Sequence, residues 1–335
     1  MEILEFLADS HCHISADSSN DRIERALATW DTNYAHRSAF YHMMTTNHRD
    51  IHFVQTIIEH MGDNVLPYFG IHPWYSHLFS TAGTYSASSD DFKRQHYIDV
   101  LSPAPTEELL NVLPHPICMN EHLKLMEKLS MKYDNSGIGE IGLDKLFRVP
   151  SNGFFGNIEV ANNGLNKLSS CKVSIVHQTK ILELQLDLAN KLKRQVSLHC
   201  VKSHGPLFDK VTNYKTIPAV ILHSYSGSTE HAKVWINFYR KSNQKLFFSF
   251  SNYINGEKRL NDLTTLLSLL KDEQILIETD FGVDIYFADG KQDQYYDDLV
   301  DIFNKICESK KWGQNYGKEV IFKNVERSFD HKTLT

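Results

Sequence analysis

His11 and His13 sit in the run Asp9-Ser-His-Cys-His13, directly after an apolar stretch from Ile3 to Ala8. Residues two apart on a β-strand point to the same face, so both imidazoles can aim at one point where the strand ends. Imidazole is the commonest protein ligand for a metal, and a pair at this spacing suits a divalent ion. Other apolar runs close on ligand-type residues as well: Glu140 after Gly137-Ile-Gly, His199 after Gln195-Val-Ser-Leu, His223 after Ala219-Val-Ile-Leu, and Asp280 at the end of Gln274-Ile-Leu-Ile-Glu-Thr. Six such residues exceed the three protein ligands plus water of a single catalytic zinc. They suit two ions about 3.5–4 Å apart, bridged by a carboxylate and clamping the attacking and leaving oxygens of a displacement. Each residue alone reads more readily as structural, but six at the ends of buried strands make coincidence a poor explanation.

The elements that must position these groups follow from periodicity. Apolar runs at 3–8, 39–45, 64–70, 137–144, 195–200, 219–223, 246–250 and 274–280 predict eight short strands. Most are separated by helical patterns, such as Ile51, Val54, Ile57 and Ile58 within 49–61. Continuous apolar runs mean strands covered on both faces, as in a parallel sheet. Eight such units, with no Gly-rich first turn, predict a closed (β/α)8 TIM-type barrel in the α/β class rather than an open doubly wound sheet. Catalytic groups in that barrel come from the carboxyl ends of strands, where the six ligands lie. The expected organisation is one barrel domain over 1–330, interrupted by insertions at about 75–117 and 148–171, with a short tail at 331–335.

Composition sets the limits. The 335 residues carry a formal net charge of −6, which gives no global attraction to nucleic acid. A phosphate-bearing substrate must therefore be held locally, and Lys145, Arg148, Lys202 and His204 are the residues placed to form such a rim. No apolar run reaches a membrane span, and Met1 is not followed by a secretory leader pattern. Five scattered cysteines without a C-x-x-C pattern argue against a disulfide framework or zinc finger and fit a reducing compartment. An intracellular location, cytoplasmic or nuclear, is the expectation. Cys12 and Cys200 alternate away from the neighbouring ligands and read as core residues. Phe247, Phe248 and Phe250 read as packing, whereas Trp74 and Tyr225 lie beside site residues and are the better candidates for stacking on a base.

The motifs Asp9-Ser-His-Cys-His13, Gly70-Ile-His-Pro73, Gly139-Glu-Ile-Gly-Leu-Asp144, Leu198-His199, Leu222-His-Ser-Tyr-Ser-Gly227 and Glu278-Thr-Asp280 occur in an order that resembles the TatD family of metal-dependent deoxyribonucleases. The likeness extends to Asn324-Val-Glu-Arg-Ser-Phe329 and spares only the two insertions. It implies two-metal hydrolysis of phosphodiester bonds, with DNA or a small phosphodiester as substrate. It implies two divalent ions (Zn, Mg or Mn), with His11, His13 and Asp280 holding one, His199 and His223 the other, and Glu140 bridging. Asp280 would also serve as base, His72 would meet the substrate phosphate, and Asp9 and Asp144 would fix imidazole or loop orientation. Three positions depart from the family pattern: Val201, where Arg is frequent, with Lys202 beside it as a point charge in place of a bidentate fork; Phe281-Gly282 after the last ligand; and Trp74 where another His is common. None removes a ligand. Two other functions compete: a deaminase or amide-ring hydrolase of the wider superfamily, in which a carboxylated lysine often fills the place of Glu140, and a scaffold that binds another protein. The sequence leaves the oligomeric state open.

Overall fold

The computed structural model describes residues 8–34, 40–82, 89–160 and 167–329. The expected start of the first strand, Ile3 to Leu7, and the tail at 331–335 lie outside the described residues. Eight strands carry the architecture: β1 Asp9–His13, β2 Tyr41–Met44, β3 Val65–Tyr68, β4 Ile138–Asp144, β5 Val196–Val201, β6 Ala219–Leu222, β7 Lys245–Ser251 and β8 Ile275–Glu278. All neighbours pair in parallel, as β1-β2-β3 and as β4-β5-β6-β7-β8. Backbone hydrogen bonds cross both seams. Phe69 N–H reaches Gly137 O at 3.1 Å and Glu140 N–H reaches Thr45 O at 3.0 Å on one side; Asp280 N–H reaches His11 O at 3.0 Å and His13 N–H reaches Phe281 O at 2.9 Å on the other. The order of neighbours thus returns to β1, as in the TIM-type barrel that the strand count predicts.

Alternation along each strand sorts side chains between two cores. On β7, Leu246, Phe248 and Phe250 face the layer packed by helices, while Phe247 joins Met44, Leu66, Tyr68, Ile221 and Leu276 in a separate buried cluster that includes Phe329 of the C-terminal segment. On β1, Cys12 belongs to the helix-side core, so His11 and His13 take the opposite face. Helices Asp50–Met61, Met119–Lys132 and Ile175–Leu192 match the periodic segments to within a few residues. The short helices His204–Val211 and Val283–Ala288 were not predicted, because each spans about two turns and shows too few periodic positions to register.

The two insertions build a lobe of their own. Helices Asp90–Val100 and Glu107–Val112 start at Ser89 and Thr106, whose hydroxyls accept the backbone N–H of Phe92 and Leu109. Those caps satisfy donors a helix start leaves open. Tyr75, Leu78, Phe79, Tyr97, Leu109 and Leu110 of the first insertion pack with Val149, Phe154 and Cys171 of the second, and with Phe147 beside it. Leu101–Ser102 pairs antiparallel with Lys172–Val173, stitching the insertions together on either flank of β4.

Candidate metal centre

Five imidazoles and two carboxylates, from β1, β4, β5 and the ends of β3, β6 and β8, converge at one end of the sheet, and Glu140 lies at the middle. Its Oε2 is 3.2 Å from His11 Nε2 and 3.3 Å from His13 Nε2. Its Oε1 is 2.9 Å from His199 Nδ1, 3.3 Å from His72 Nε2 and 3.4 Å from His223 Nε2. Asp280 Oδ1 closes the first side at 3.2 Å from His13 Nε2 and 4.0 Å from His11 Nε2, and stands 3.8 Å from His223 Nε2. Three groups of donor atoms come together within 4.8 Å: His11 with His13 and Asp280, His11 with Glu140 and His223, and His72 with Glu140 and His199.

Two glycines make this approach feasible. A Cβ at Gly142 on β4 would meet the His199 carbonyl oxygen at 2.0 Å, and one at Gly70 would meet the backbone of Gly139 at 2.5 Å. Only bare backbone lets β4 come near enough to β5 and to the end of β3. Asp280 takes a left-handed conformation, φ 61°, which Asp tolerates better than most residues, and this turns the chain at the end of β8.

Hydrogen-bond partners set which nitrogen of each ring is free. His11 Nδ1 lies 3.0 Å from Ser197 Oγ, which can accept its N–H and leave the Nε2 lone pair for a cation. His223 Nδ1 lies 2.9 Å from Glu278 Oε1, a fully buried carboxylate that also takes the Ser224 N–H and hydroxyl at 2.7 and 2.6 Å. His199 turns Nε2 to Asp144 Oδ2 at 3.3 Å and Nδ1 to Glu140. His72 differs. Its Nδ1 accepts the Trp74 backbone N–H at 3.1 Å, and a backbone N–H can only donate, so neutral His72 carries its proton on Nε2.

The electrostatics ask for positive charge. Burial would raise Glu140, but His72, His223 and His11 outweigh it and hold the carboxyl well below its usual range. Burial likewise opposes the ionisation of Asp280, which His223 and His13 restore. His223 is pushed up to about 10, its burial overcome by Glu278, Asp280 and Glu140. His199 rises to about 9 against its own burial through Asp144 and Glu140. His11 and His72 fall to about 4 because burial dominates. Ionised carboxylates facing convergent, deprotonatable ring nitrogens form a donor set that fits divalent cations.

Asp9 and Asp144 hold the frame. Asp9 accepts the backbone N–H of His11 at 3.0 Å, the Thr279 hydroxyl at 2.5 Å and the Tyr295 hydroxyl, so it ties β1 to the end of β8, and among the described residues no hydrogen bond or ion pair joins it to an imidazole ring. Asp144 accepts the Trp74 indole N–H at 2.7 Å and the backbone N–H groups of Leu146 and Phe147. Lys202 is exposed, and no hydrogen bond or ion pair links it to the centre among the described residues. Tyr225 is buried, edge-on to Phe248, with its hydroxyl on Ser228 O, which removes it as a stacking surface. Sequence reasoning missed Glu278 and Ser197. Glu278 had a signal, an acid inside the buried run Ile275–Glu278; a serine in a strand carries none.

Comparison with known proteins adds three findings. The family model described as TatD related DNase matches residues 8–330. The Cut9-interacting protein scn1 of Schizosaccharomyces pombe is 28% identical over 340 residues, covering 92% of this chain and 94% of its own, and the uncharacterized deoxyribonuclease YMR262W of Saccharomyces cerevisiae is 32% identical over 288 residues, covering 83% and 84%. Among solved structures, the TatD homolog YJJV of Escherichia coli superimposes with a TM-score of 0.58 at 16% identity, covering 98% of this chain and 100% of that one.

Proposed function

We propose that this chain, which belongs to the TatD-related DNase family, hydrolyses phosphodiester bonds of DNA at a centre for two divalent cations. The observation that carries the reading is the division of Glu140, whose Oε2 serves the His11 and His13 side and whose Oε1 serves His199 and His223. His11, His13 and Asp280 would hold one cation, His199 and His223 the other, and Glu140 would bridge. Bound there, the cations would acidify a water and neutralise charge on the phosphate. The mixed nitrogen and oxygen donors accept zinc, manganese or magnesium.

The chain's own groups divide the remaining work. Asp280 is the most open of the four acidic groups, its side chain 31% exposed against 5% for Asp144, 3% for Glu140 and none for Glu278. Held ionised, it is placed to take the proton of an incoming water. His72, with its proton on Nε2, is a hydrogen-bond donor for a phosphate oxygen rather than a cation ligand. Asp144 and Glu278 hold His199 and His223 in register. The glutamate on β4 favours this reading over a deaminase or amide-ring hydrolase, whose binuclear members often place a carboxylated lysine there.

The test is metal analysis of the purified protein alongside cleavage of oligonucleotides with and without added divalent ions. Metal-dependent cleavage that is lost in His13→Ala and Glu140→Ala is the expected result; undiminished cleavage by metal-free protein overturns it.

A second reading, a protein-binding role, is supported by the similarity to the Cut9-interacting protein and by exposed Leu146, Ile158 and Leu168 in and beside the second insertion. Charged substitutions at these three positions would abolish capture of a protein partner while leaving metal content unchanged. No helix among the described residues is long and apolar enough to cross a membrane.

A further inference from the structure

A cavity of about 250 Å³ lies in the insertion lobe, between the helix Asp90–Val100 and the start of the helix Ile175–Leu192, and no residue of the metal centre lines it. His96 and His177 border it, each only 7% exposed, with ring centroids 5.8 Å apart. His96 Nε2 lies 2.8 Å from the His77 carbonyl oxygen, and His177 Nε2 lies 2.9 Å from that of Ser76. A carbonyl oxygen can only accept, so each ring carries a proton on Nε2, and Nδ1 is the open nitrogen of the neutral form. Neither Nδ1 has a hydrogen-bond partner among the described residues, and neither is sealed from solvent as His77 Nδ1 is. The small exposed part of each ring therefore opens on the cavity.

Positive charge gathers at the same wall. Ser174 begins the long helix without placing its hydroxyl on a backbone N–H, and the first turn holds no acid. The free N–H groups and positive dipole end of such a start favour an anion. Lys180, one turn further on, borders the cavity, is exposed, and has no ion pair among the described residues. The one carboxylate on the wall, Asp99, is exposed and takes the Gln95 amide at 2.8 Å. A metal ion is poorly served here: among the described residues no third His, Cys, Asp or Glu donor completes a set with the two rings, and Lys180 and the helix start repel it. The titratable and charged groups facing the ring pair are His77 from Pro73–Leu78, Asp99 from Asp90–Val100 and Lys180 from Ile175–Leu192; Ser80 and Thr81 add hydroxyls. Burial, then His96 and Lys180, hold His177 at about 4 against the Ser76 carbonyl. An anion seated between these groups cancels the repulsion from Lys180 and lets an Nδ1 take up a proton and donate it.

We propose that this cavity binds a small tetrahedral oxyanion of the phosphate type, free or as the phosphoryl group of a monoester, on the start of the helix Ile175–Leu192, with Lys180 as its cation and Nδ1 of His96 and His177 as partners that gain a proton as it enters. Phe92, Val100 and Val176 line the remaining wall and leave room for the organic part of an ester. The occupant stands one residue from Gln178, whose amide holds both backbone groups of Asp144. The site is independent of the hydrolase reading.

The experiment is calorimetric titration of full-length metal-free protein with sulfate, inorganic phosphate and glycerol 3-phosphate. Each should bind at one site. Sulfate carries no proton near neutral pH, so its binding should take up about one proton from buffer and tighten as pH falls from 8 to 6; phosphate brings its own proton and should respond less. Lys180→Ala should weaken binding about tenfold, the weight of one charge-assisted hydrogen bond, and Asp99→Asn should tighten it; both residues are exposed, so the fold is kept. His177→Gln, whose amide can still reach Ser76 O, should reduce the proton uptake. His13→Ala, at the metal centre, should change none of this. Tighter binding of glycerol 3-phosphate than of phosphate supports an ester as the occupant, and the reverse supports the free ion. No saturable binding of any of the three at millimolar concentration, or binding indifferent to Lys180→Ala, overturns the proposal.

Discussion

Replacing Gly142 by Ala tests how closely the ligands depend on backbone approach. The added Cβ would lie 2.0 Å from the His199 carbonyl oxygen and 2.8 and 2.9 Å from its carbonyl carbon and amide nitrogen, all backbone atoms that cannot swing away. Cβ contacts do not fall below 3.0 Å, so β4 and β5 must part locally by at least about 1 Å at the residue pair Gly142–His199. The 2.9 Å approach of His199 Nδ1 to Glu140 Oε1 sits on that same pair of strands and opens with it. A displacement of about 1 Å at a reacting centre lowers a rate by roughly 10²-fold, and overpacking destabilises by about 1–3 kcal/mol. Manganese-loaded Gly142→Ala should therefore remain folded by circular dichroism, bind less than its full complement of metal, and cleave single-stranded DNA about a hundredfold more slowly. Wild-type metal content together with a wild-type rate would refute the reasoning, because the strands would then have absorbed the methyl group without moving His199.

Three other outcomes follow from the same contacts. Glu278→Gln keeps the shape of the side chain but removes the charge facing His223 Nδ1, so metal affinity should fall about 10- to 100-fold, as read by competition with a chelating dye. Tyr295→Phe deletes one donor to the buried Asp9, whose pKa burial raises to about 7 despite its hydrogen bonds to Thr279 and Tyr295; urea denaturation should report a loss of about 1–3 kcal/mol. His77 of the first insertion and His177 of the helix Ile175–Leu192 are lowered by burial to about 4 from 6.5, so the unfolded chain binds more protons between those values and stability falls as pH is lowered through that window. Each imidazole can contribute up to about 3 kcal/mol across it, and His177→Gln should make denaturation curves at pH 7 and pH 5 differ less than in the parent protein.

Much of the fold was legible because it rests on local pattern. The apolar runs marked eight strands, and the alternation around His11, Cys12 and His13 separated the ligands from the helix-side core. The residues that converge on Glu140 were legible for the same reason, since polar groups ending apolar runs stand out. What the sequence concealed depends on contacts between distant segments or on backbone detail. Trp74 and Asp144 meet across 70 residues, and no periodicity announces the pair. The proton position on His72 is set by a turn that brings the Trp74 N–H to Nδ1. The insertion lobe was expected only as polar chain with short helices. Its core is assembled from scattered apolar residues and two-residue strands that leave no pattern.

The clamp made by Asp9 joins the ninth residue of the chain to Thr279 and Tyr295, about 270–286 positions later. His13 and Asp280 face one another across that same seam. During synthesis the nascent polypeptide therefore owns its first two histidines long before it owns the carboxylate that completes them. On the proposed reading, a chain that ends before β8 lacks both Asp280 and the partner of the Asp9 clamp, and should cut no DNA. For a hydrolase of DNA, that timing withholds activity from any fragment released before its last strand is made.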